Sequence, residues 1–320
     1  MGMKNPEHNP TFMGLVKKLK EFDHLEAPIL VYNGDLIDSL SIKTYIDSEE
    51  AFGRIHSMKE KEDLWNEEAA KAFSLAQKYL SYLVDALKIA NDRIIICCGN
   101  HDINLYASGS EEIPCSIHKK TYGPGRFAGY QTFLQNCLGL DHWVKVGTYF
   151  KTIDGLNFLV VNSNWSNKEE GSLCIDCAGI RQQLAEHSGI LQKTADKDKC
   201  NNLFISHAPQ TDYCEEALYS WESKGSPVMR EVDKLFGLQL FGDKHTNSER
   251  NFDFIVGAPL DSDEITCGIY QFDQTNHYHH KILRYANGRP GKPFRDCPCS
   301  KDLRRCTGVR WTNCSKRKRR

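Results

Sequence analysis

The chain predicts a layered α/β fold, and three observations carry that expectation. Short apolar runs rich in β-branched residues, such as Ile94-Ile95-Ile96-Cys97-Cys98 and Leu203-Phe204-Ile205, read as strands covered on both faces. Longer segments with apolar residues three and four apart read as helices. The two kinds alternate along most of the chain, the pattern of a sheet with helices packed on it.

At 320 residues the chain holds one large α/β domain with insertions, or two ordinary domains. The reading taken is one domain over residues 1–290, with a helical insertion at about 39–92, and a Cys-containing basic tail over 291–320. Lys and Arg total 41 against 42 Asp and Glu, so whole-chain charge gives no drive towards nucleic acid or anionic membrane. No apolar stretch approaches the roughly 20 residues that a bilayer demands. The start, Met1-Gly2-Met3-Lys4-Asn5-Pro6, lacks the apolar core of a secretory signal, so the expected location is cytoplasmic, with no membrane partner. Thirteen cysteines are scattered from Cys97 to Cys314. Cys97, Cys98 and Cys137 read as small hydrophobes. Cys174-Ile175-Asp176-Cys177 has redox or zinc spacing, but no second pair nearby completes four ligands.

Taken in order, a helix is expected from about Thr11 to His24, then a strand at Ile29 to Tyr32. Within the insertion, Ala70, Phe73, Leu75, Tyr79, Leu80, Leu83 and Leu87 form a helical apolar stripe. After the strand at 94–98 come a loop with Gly and Pro and a helix around Tyr130 to Leu138. Strands at Val144 to Ile153 and Phe158 to Val161 flank the turn former Asp154-Gly155. A helix near Ile180 to Lys193, a strand at Leu203 to Ser206, a helix at Val228 to Leu235 and a strand at Leu238 to Phe241 follow. Phe252 to Tyr285 alternates as strands and hairpins.

Four of these strands end alike. Tyr32 runs into Asn33-Gly34-Asp35-Leu36-Ile37-Asp38, Cys98 into Gly99-Asn100-His101-Asp102, Ser206 into His207-Ala208-Pro209, and Phe241 into Gly242-Asp243-Lys244-His245. Three carry a glycine, which lets the backbone turn sharply and approach an ion or phosphate closely. Side by side on one sheet edge, they would collect Asp35, Asn100, His101, His207, Asp243 and His245 in a single pocket. Carboxylate, imidazole and amide without thiolate suit Mn, Fe, Zn or a similar divalent ion. Alone, Gly-Asp after a strand is a turn and Asn-His-Asp a helix cap. Four in succession, each at a strand end, read as one site.

With Gly34-Asp35-Leu36-Ile37-Asp38, Gly99-Asn100-His101-Asp102 and the strand-end His207 in place, the chain resembles the calcineurin-like metallophosphoesterase superfamily over roughly residues 11 to 285. The resemblance implies a four-layer α-β-β-α sandwich of two mixed sheets flanked by helices. It implies two divalent metal ions, Mn, Fe, Zn or Mg, and hydrolysis of a phosphomonoester or phosphodiester by a metal-activated water. It implies Asp35 as the bridging ligand, Asn100, His207 and Asp243 completing one metal, and His245 on the other. His101 is implied not as a ligand but as the donor to the leaving oxygen, with Asp38 placed to orient it. Lys244, beside the ligands, is the candidate phosphate contact.

Two departures from the family pattern bear on the metals. The first-strand Asp-x-His would precede the helix near Thr11, where no such triplet stands. Glu7-His8 is the nearest candidate, and Pro6 and Pro10 argue against a central strand there. The first strand is therefore expected to be missing, and only one ion to bind firmly. The final Gly-His-x-His stands as Gly242-Asp243-Lys244-His245, a carboxylate in place of an imidazole.

The insertion at 39–92, the loop at 106–125 and the segment at 162–171, with Trp165, are the expected walls of the cleft. The substrate class stays open among nucleotides, phosphoproteins and nucleic acid. Cys297, Cys299, Cys306 and Cys314 are candidate zinc ligands, and Lys316 to Arg320 a weak nucleic-acid contact through phosphates. The alternative to an enzyme is a non-catalytic module of the same fold that binds a phosphorylated or nucleic-acid partner.

Overall fold

The computed structural model describes residues 5–22, 28–107, 124–138, 147–164, 166–167, 173–198, 201–210, 213, 228–242, 249–250, 253–255, 264–272, 278–286 and 289–290. Helix α1 (Pro10–Leu19) starts where the Asn9 side chain accepts the Phe12 N–H and proline fills the first helical position. It ends as an α-helix at Leu19, short of the expected His24, and residues 20–22 tighten into a 3-10 turn. Strand β1 (Leu30–Asn33) leads through α2 (Ser39–Ala51) and α3 (Met58–Leu87), the expected helical insertion, into β2 (Ile94–Cys97). β1 and β2 pair in parallel, Leu30 opposite Ile94 and Asn33 opposite Cys97.

Helix α3 buries two faces. Trp65, Ala69, Phe73 and Leu80 join the main core, while Tyr79 and Leu83 meet Phe12, Leu15 and Val16 of α1. Ala70 does not belong to the stripe. The face through Trp65, Ala69 and Phe73 advances four residues at a time, which turns Ala70 to solvent.

The larger sheet begins with β3 (Thr148–Ile153) and β4 (Leu156–Val161), after α4 (Ala128–Leu138). Asp154 and Gly155 join them, both left-handed at φ 50° and 80°, as a two-residue hairpin requires. The short pair β5 (Ser166–Asn167) and β6 (Leu173–Cys174) is followed by α5 (Cys177–Glu186) and α6 (Ser188–Asp198). The single helix expected at Ile180 to Lys193 is thus two. At His187 the chain leaves helical geometry, stacking the ring on Phe150 with centroids 4.0 Å apart, and Ser188-Gly189 restarts the coil. β7 (Asn202–Ser206), α7 (Val228–Leu235), β8 (Leu238–Phe241), β9 (Glu249–Arg250) and β10 (Asp253–Ile255) complete this unit. The strand order is β3-β4-β7-β8-β10-β9, with β4, β7, β8 and β10 parallel and β3 and β9 antiparallel to their neighbours.

Period-two alternation sorts the core. Phe158, Val160, Leu203, Ile205, Leu238 and Leu240 face Ile94, Ile95 and Ile96 with Trp65, Tyr130 and Phe133. Leu159, Val161, Phe204 and Phe241 face Ile180, Leu184, Leu191, Val228 and Val232 of α5 to α7. The strands β11 (Glu264–Phe272), β12 (Tyr278–Ala286) and β13 (Arg289–Pro290) form an antiparallel sheet that lies against α1. Among the described residues no helix is long and apolar enough to cross a membrane.

The strand exits, expected on one sheet edge, come from two sheets: β1 and β2 from one, β7 and β8 from the other. Between the two sheets, the Tyr149 hydroxyl of β3 donates to Ile96 O at 2.8 Å and accepts from Ile96 N–H at 3.1 Å.

Asp176 caps α5, its Oδ1 accepting the Gly179 N–H at 2.9 Å. It is 3 % exposed, and burial pushes its carboxyl from 3.8 up to about 6. The folded chain therefore binds more protons than the unfolded one between those values, so stability falls as pH rises through that window. The shift corresponds to about 3 kcal/mol against the ionised form. Asp176→Asn, which keeps the cap, is expected to raise unfolding free energy at pH 7 by about 1–3 kcal/mol and to flatten the pH 4–6 slope. Urea titrations at pH 4, 5, 6 and 7 check both, and an unchanged slope would show that Asp176 titrates normally.

Candidate metal and catalytic site

Three glycines let the strand exits touch. A Cβ on Gly34 would lie 2.5 Å from His207 Nδ1 and 2.7 Å from Gly99 Cα. On Gly99 it would lie 2.0 Å from Asp35 N, and on Gly242 2.3 Å from Asn33 O. Gly34 and Asp35 are consecutive left-handed residues, at φ 87° and 56°. That turn suits glycine and costs an aspartate roughly 1–2 kcal/mol. Its result is a carboxylate folded back towards β2 and β7.

Asp35 Oδ1 accepts the main-chain N–H of His101 at 3.1 Å, and Oδ2 lies 3.3 Å from His207 Nε2. Asn100 Oδ1 lies 2.9 Å from the same nitrogen. The other ring nitrogen, Nδ1, is 2.6 Å from the Asn33 carbonyl oxygen. A neutral imidazole carries one N–H, and that carbonyl fixes it on Nδ1. The Nε2 lone pair then faces Asp35 Oδ2 and the Asn100 amide, a place that suits a proton or a cation. Ligands about 2.1 Å from one ion lie about 3.0 Å apart across an octahedral edge and about 3.4 Å across a tetrahedral one. The observed 2.9 and 3.3 Å are compatible with those edges as well as with direct hydrogen bonds, so Asp35, Asn100 and His207 could hold one divalent ion.

The electrostatics agree. Burial would raise the Asp35 carboxyl, but His207 and His101 outweigh it and hold the group below the usual carboxylate range. Among the described residues no three His, Cys, Asp or Glu side chains converge, since the third member of this set is an amide. His101 stands apart from the set, its Nδ1 3.7 Å from Asp38 Oδ1. Asp38 caps α2, accepting the N–H groups of Leu40 and Ser41 and the Ser41 hydroxyl.

Asp243, Lys244 and His245 lie outside the described residues, as do Trp165, residues 108–123 and the tail at 291–320. Glu7 and His8 lie exposed in a 3-10 turn, Pro6–His8, as the flanking prolines predict. Cys97, Cys98 and Cys177 are buried, while Cys137 is only partly covered. Burial pushes the Cys97 and Cys98 thiols up, which keeps them inert.

Two features escaped the sequence reading. Asp102, which reads as a cap residue, is fully buried: Oδ1 accepts the N–H groups of Leu36 at 2.7 Å and Ile37 at 3.3 Å, and Oδ2 that of Gly99 at 2.7 Å. Burial and the Asp35 carboxylate push it up to about 7. The exit of β4, Asn162-Ser163-Asn164, is a further polar strand end. Asn164 Nδ2 donates to Cys98 O at 3.1 Å and Ser163 Oγ accepts the Ala208 N–H at 3.0 Å, tying the exits of β2 and β7 together. Its signal was present, polar residues straight after Val160-Val161, but without a glycine or a histidine.

Comparison of the chain with protein-family models, curated proteins and solved structures finds no match.

Proposed function

We propose that the protein is a metal-dependent phosphoesterase of the calcineurin-like kind, an α-β-β-α sandwich that hydrolyses a phosphomonoester or phosphodiester with a metal-activated water. One observation carries the reading: Asp35 Oδ2 and Asn100 Oδ1 face the Nε2 lone pair of His207 at 3.3 and 2.9 Å, the spacing of ligands around a shared cation. Asp35, Asn100 and His207 would hold the first ion, with Asp243 completing it, and His245 would reach towards a second. Divalent ions here would polarise phosphoryl oxygens and make a water nucleophilic near neutral pH. His101, outside the ligand set, donates a proton to the leaving oxygen, and Asp38, 3.7 Å away, orients its ring. Lys244, one residue from Asp243, meets the phosphate.

Purified protein incubated with excess Mn and then dialysed is expected to retain one ion per chain. It is expected to hydrolyse an aryl phosphodiester or monoester, with rates rising further at millimolar Mn as the second site fills. Two ions retained through dialysis would mean that a residue other than Asp35 and His245 completes the second site. The non-catalytic reading has one observation in its favour: Glu7 and His8 form an exposed turn, not a strand end beside Asp35. Firm binding of one ion with no turnover on any phosphoester, under Mn, Mg, Zn or Fe, would decide for it.

A further inference from the structure

We propose that Asp102 is the positioning residue of this site, its carboxylate clamping the Asp35 loop to the Asn100 loop and so setting where both ligands point. The inference rests on the phosphoesterase reading for the identity of those ligands; the clamp itself is a matter of geometry.

Leu36 and Ile37 follow directly on the two left-handed residues, Gly34 and Asp35. Successive N–H groups after such a turn point into one concavity and bind an anion there. In this chain the anion is internal: Asp102 Oδ1 takes both, at 2.7 and 3.3 Å. Its second oxygen takes the Gly99 N–H at 2.7 Å, immediately before the ligand Asn100. One side chain thus ties together the residues next to each of two ligands, and it does so from a fully buried position where water does not compete. The His101 N–H on Asp35 Oδ1 adds a second tie in the opposite direction. The Asp102 hydrogen bonds go to the main chain beside Asp35 and Asn100, so the clamp acts on binding through those two ligands.

The test exchanges one oxygen for a donor. In Asp102→Asn, either orientation of the amide sets an NH2 group against the Gly99 N–H or against the pair at Leu36 and Ile37. Loss of an outer hydrogen-bond partner typically weakens metal binding 10–100-fold. The full-length variant is therefore expected to bind Mn 10–100-fold more weakly, by calorimetry. Amide hydrogen exchange at Leu36, Ile37 and Gly99 should accelerate while that of Ile95 and Ile205 does not. Asp176→Asn removes another buried capping carboxylate, on α5, and is expected to leave Mn affinity unchanged. Wild-type Mn affinity in a folded Asp102→Asn, or equal weakening by Asp176→Asn, overturns the proposal. Should Asp102→Asn fail to fold, Asp102→Glu retains both oxygens on a longer arm. A folded glutamate variant with weakened Mn binding supports the clamp, and one with wild-type affinity, or failure of both to fold, overturns it. If wild-type protein itself binds no Mn, the phosphoesterase reading falls first and takes the proposal with it.

Discussion

His101→Ala is expected to lower turnover on a phosphoester by about 100-fold or more while leaving bound Mn unchanged. The two halves of that expectation come from different atoms of one residue. The His101 main chain, retained in alanine, donates to Asp35 Oδ1 at 3.1 Å and so helps to aim that carboxylate. The imidazole points elsewhere, towards Asp38 at 3.7 Å, and is the part that would transfer a proton in the proposed reaction. Because general-acid help matters most when the departing oxygen is basic, the loss should be larger for an alkyl phosphoester than for a nitrophenyl one. Metal content by atomic absorption beside initial rates on both substrates makes the check. Loss of metal together with activity would make His101 a ligand and remove the acid from the mechanism.

Gly99→Ala is expected to abolish Mn binding and to lower stability by about 3 kcal/mol or more. Backbone strain is not the reason, since Gly99 sits at φ −92°, open to any residue. Space is the reason: the new methyl would lie 2.0 Å from Asp35 N, 2.1 Å from Asp35 Oδ1 and 2.8 Å from Asp35 Cα. Two of those atoms are main chain and cannot swing aside, so the loops that carry Asp35 and Asn100 must part. Gly189→Ala is the matched control, with nothing within 4 Å of its added methyl. Urea unfolding and Mn calorimetry on both variants read the outcome. Wild-type stability and binding in Gly99→Ala would mean that the two loops are not in contact.

Much of this arrangement was legible because strand and exit have opposite chemistry. Ile94 to Cys98 and Leu203 to Ile205 could only be buried, and the polar residues straight after them had to lie at an edge. Helix α7 and strand β8 fall where the periodicity puts them. The division into two sheets was not legible, because parallel strands in one sheet or two carry the same apolar run. One contact between the sheets is the Tyr149 hydroxyl on Ile96, and a tyrosine in a strand gives no sign of what its oxygen meets. Asp102 was hidden for a related reason. Its partners are main-chain N–H groups, which no sequence pattern distinguishes, and two of the three, Leu36 and Ile37, belong to a loop far from it along the chain. The break at His187 escaped because Ser188 and Gly189 are tolerated inside helices, and the stack of His187 on Phe150 leaves no mark in the sequence.

The placement of Asp35 and Asn100 on one sheet and His207 on the other has a consequence for assembly. The first pair lies on either side of a long helical insertion, and their partner arrives more than a hundred residues later. A chain at an early stage of folding owns the separate donors but no binding site. If the proposed ion binds there, its capture and docking of the sheets become one equilibrium, in which cation concentration acts on the folded population by mass action. Growth conditions poor in divalent ions would show up first as lower yield of native chain, before any deficit in specific activity.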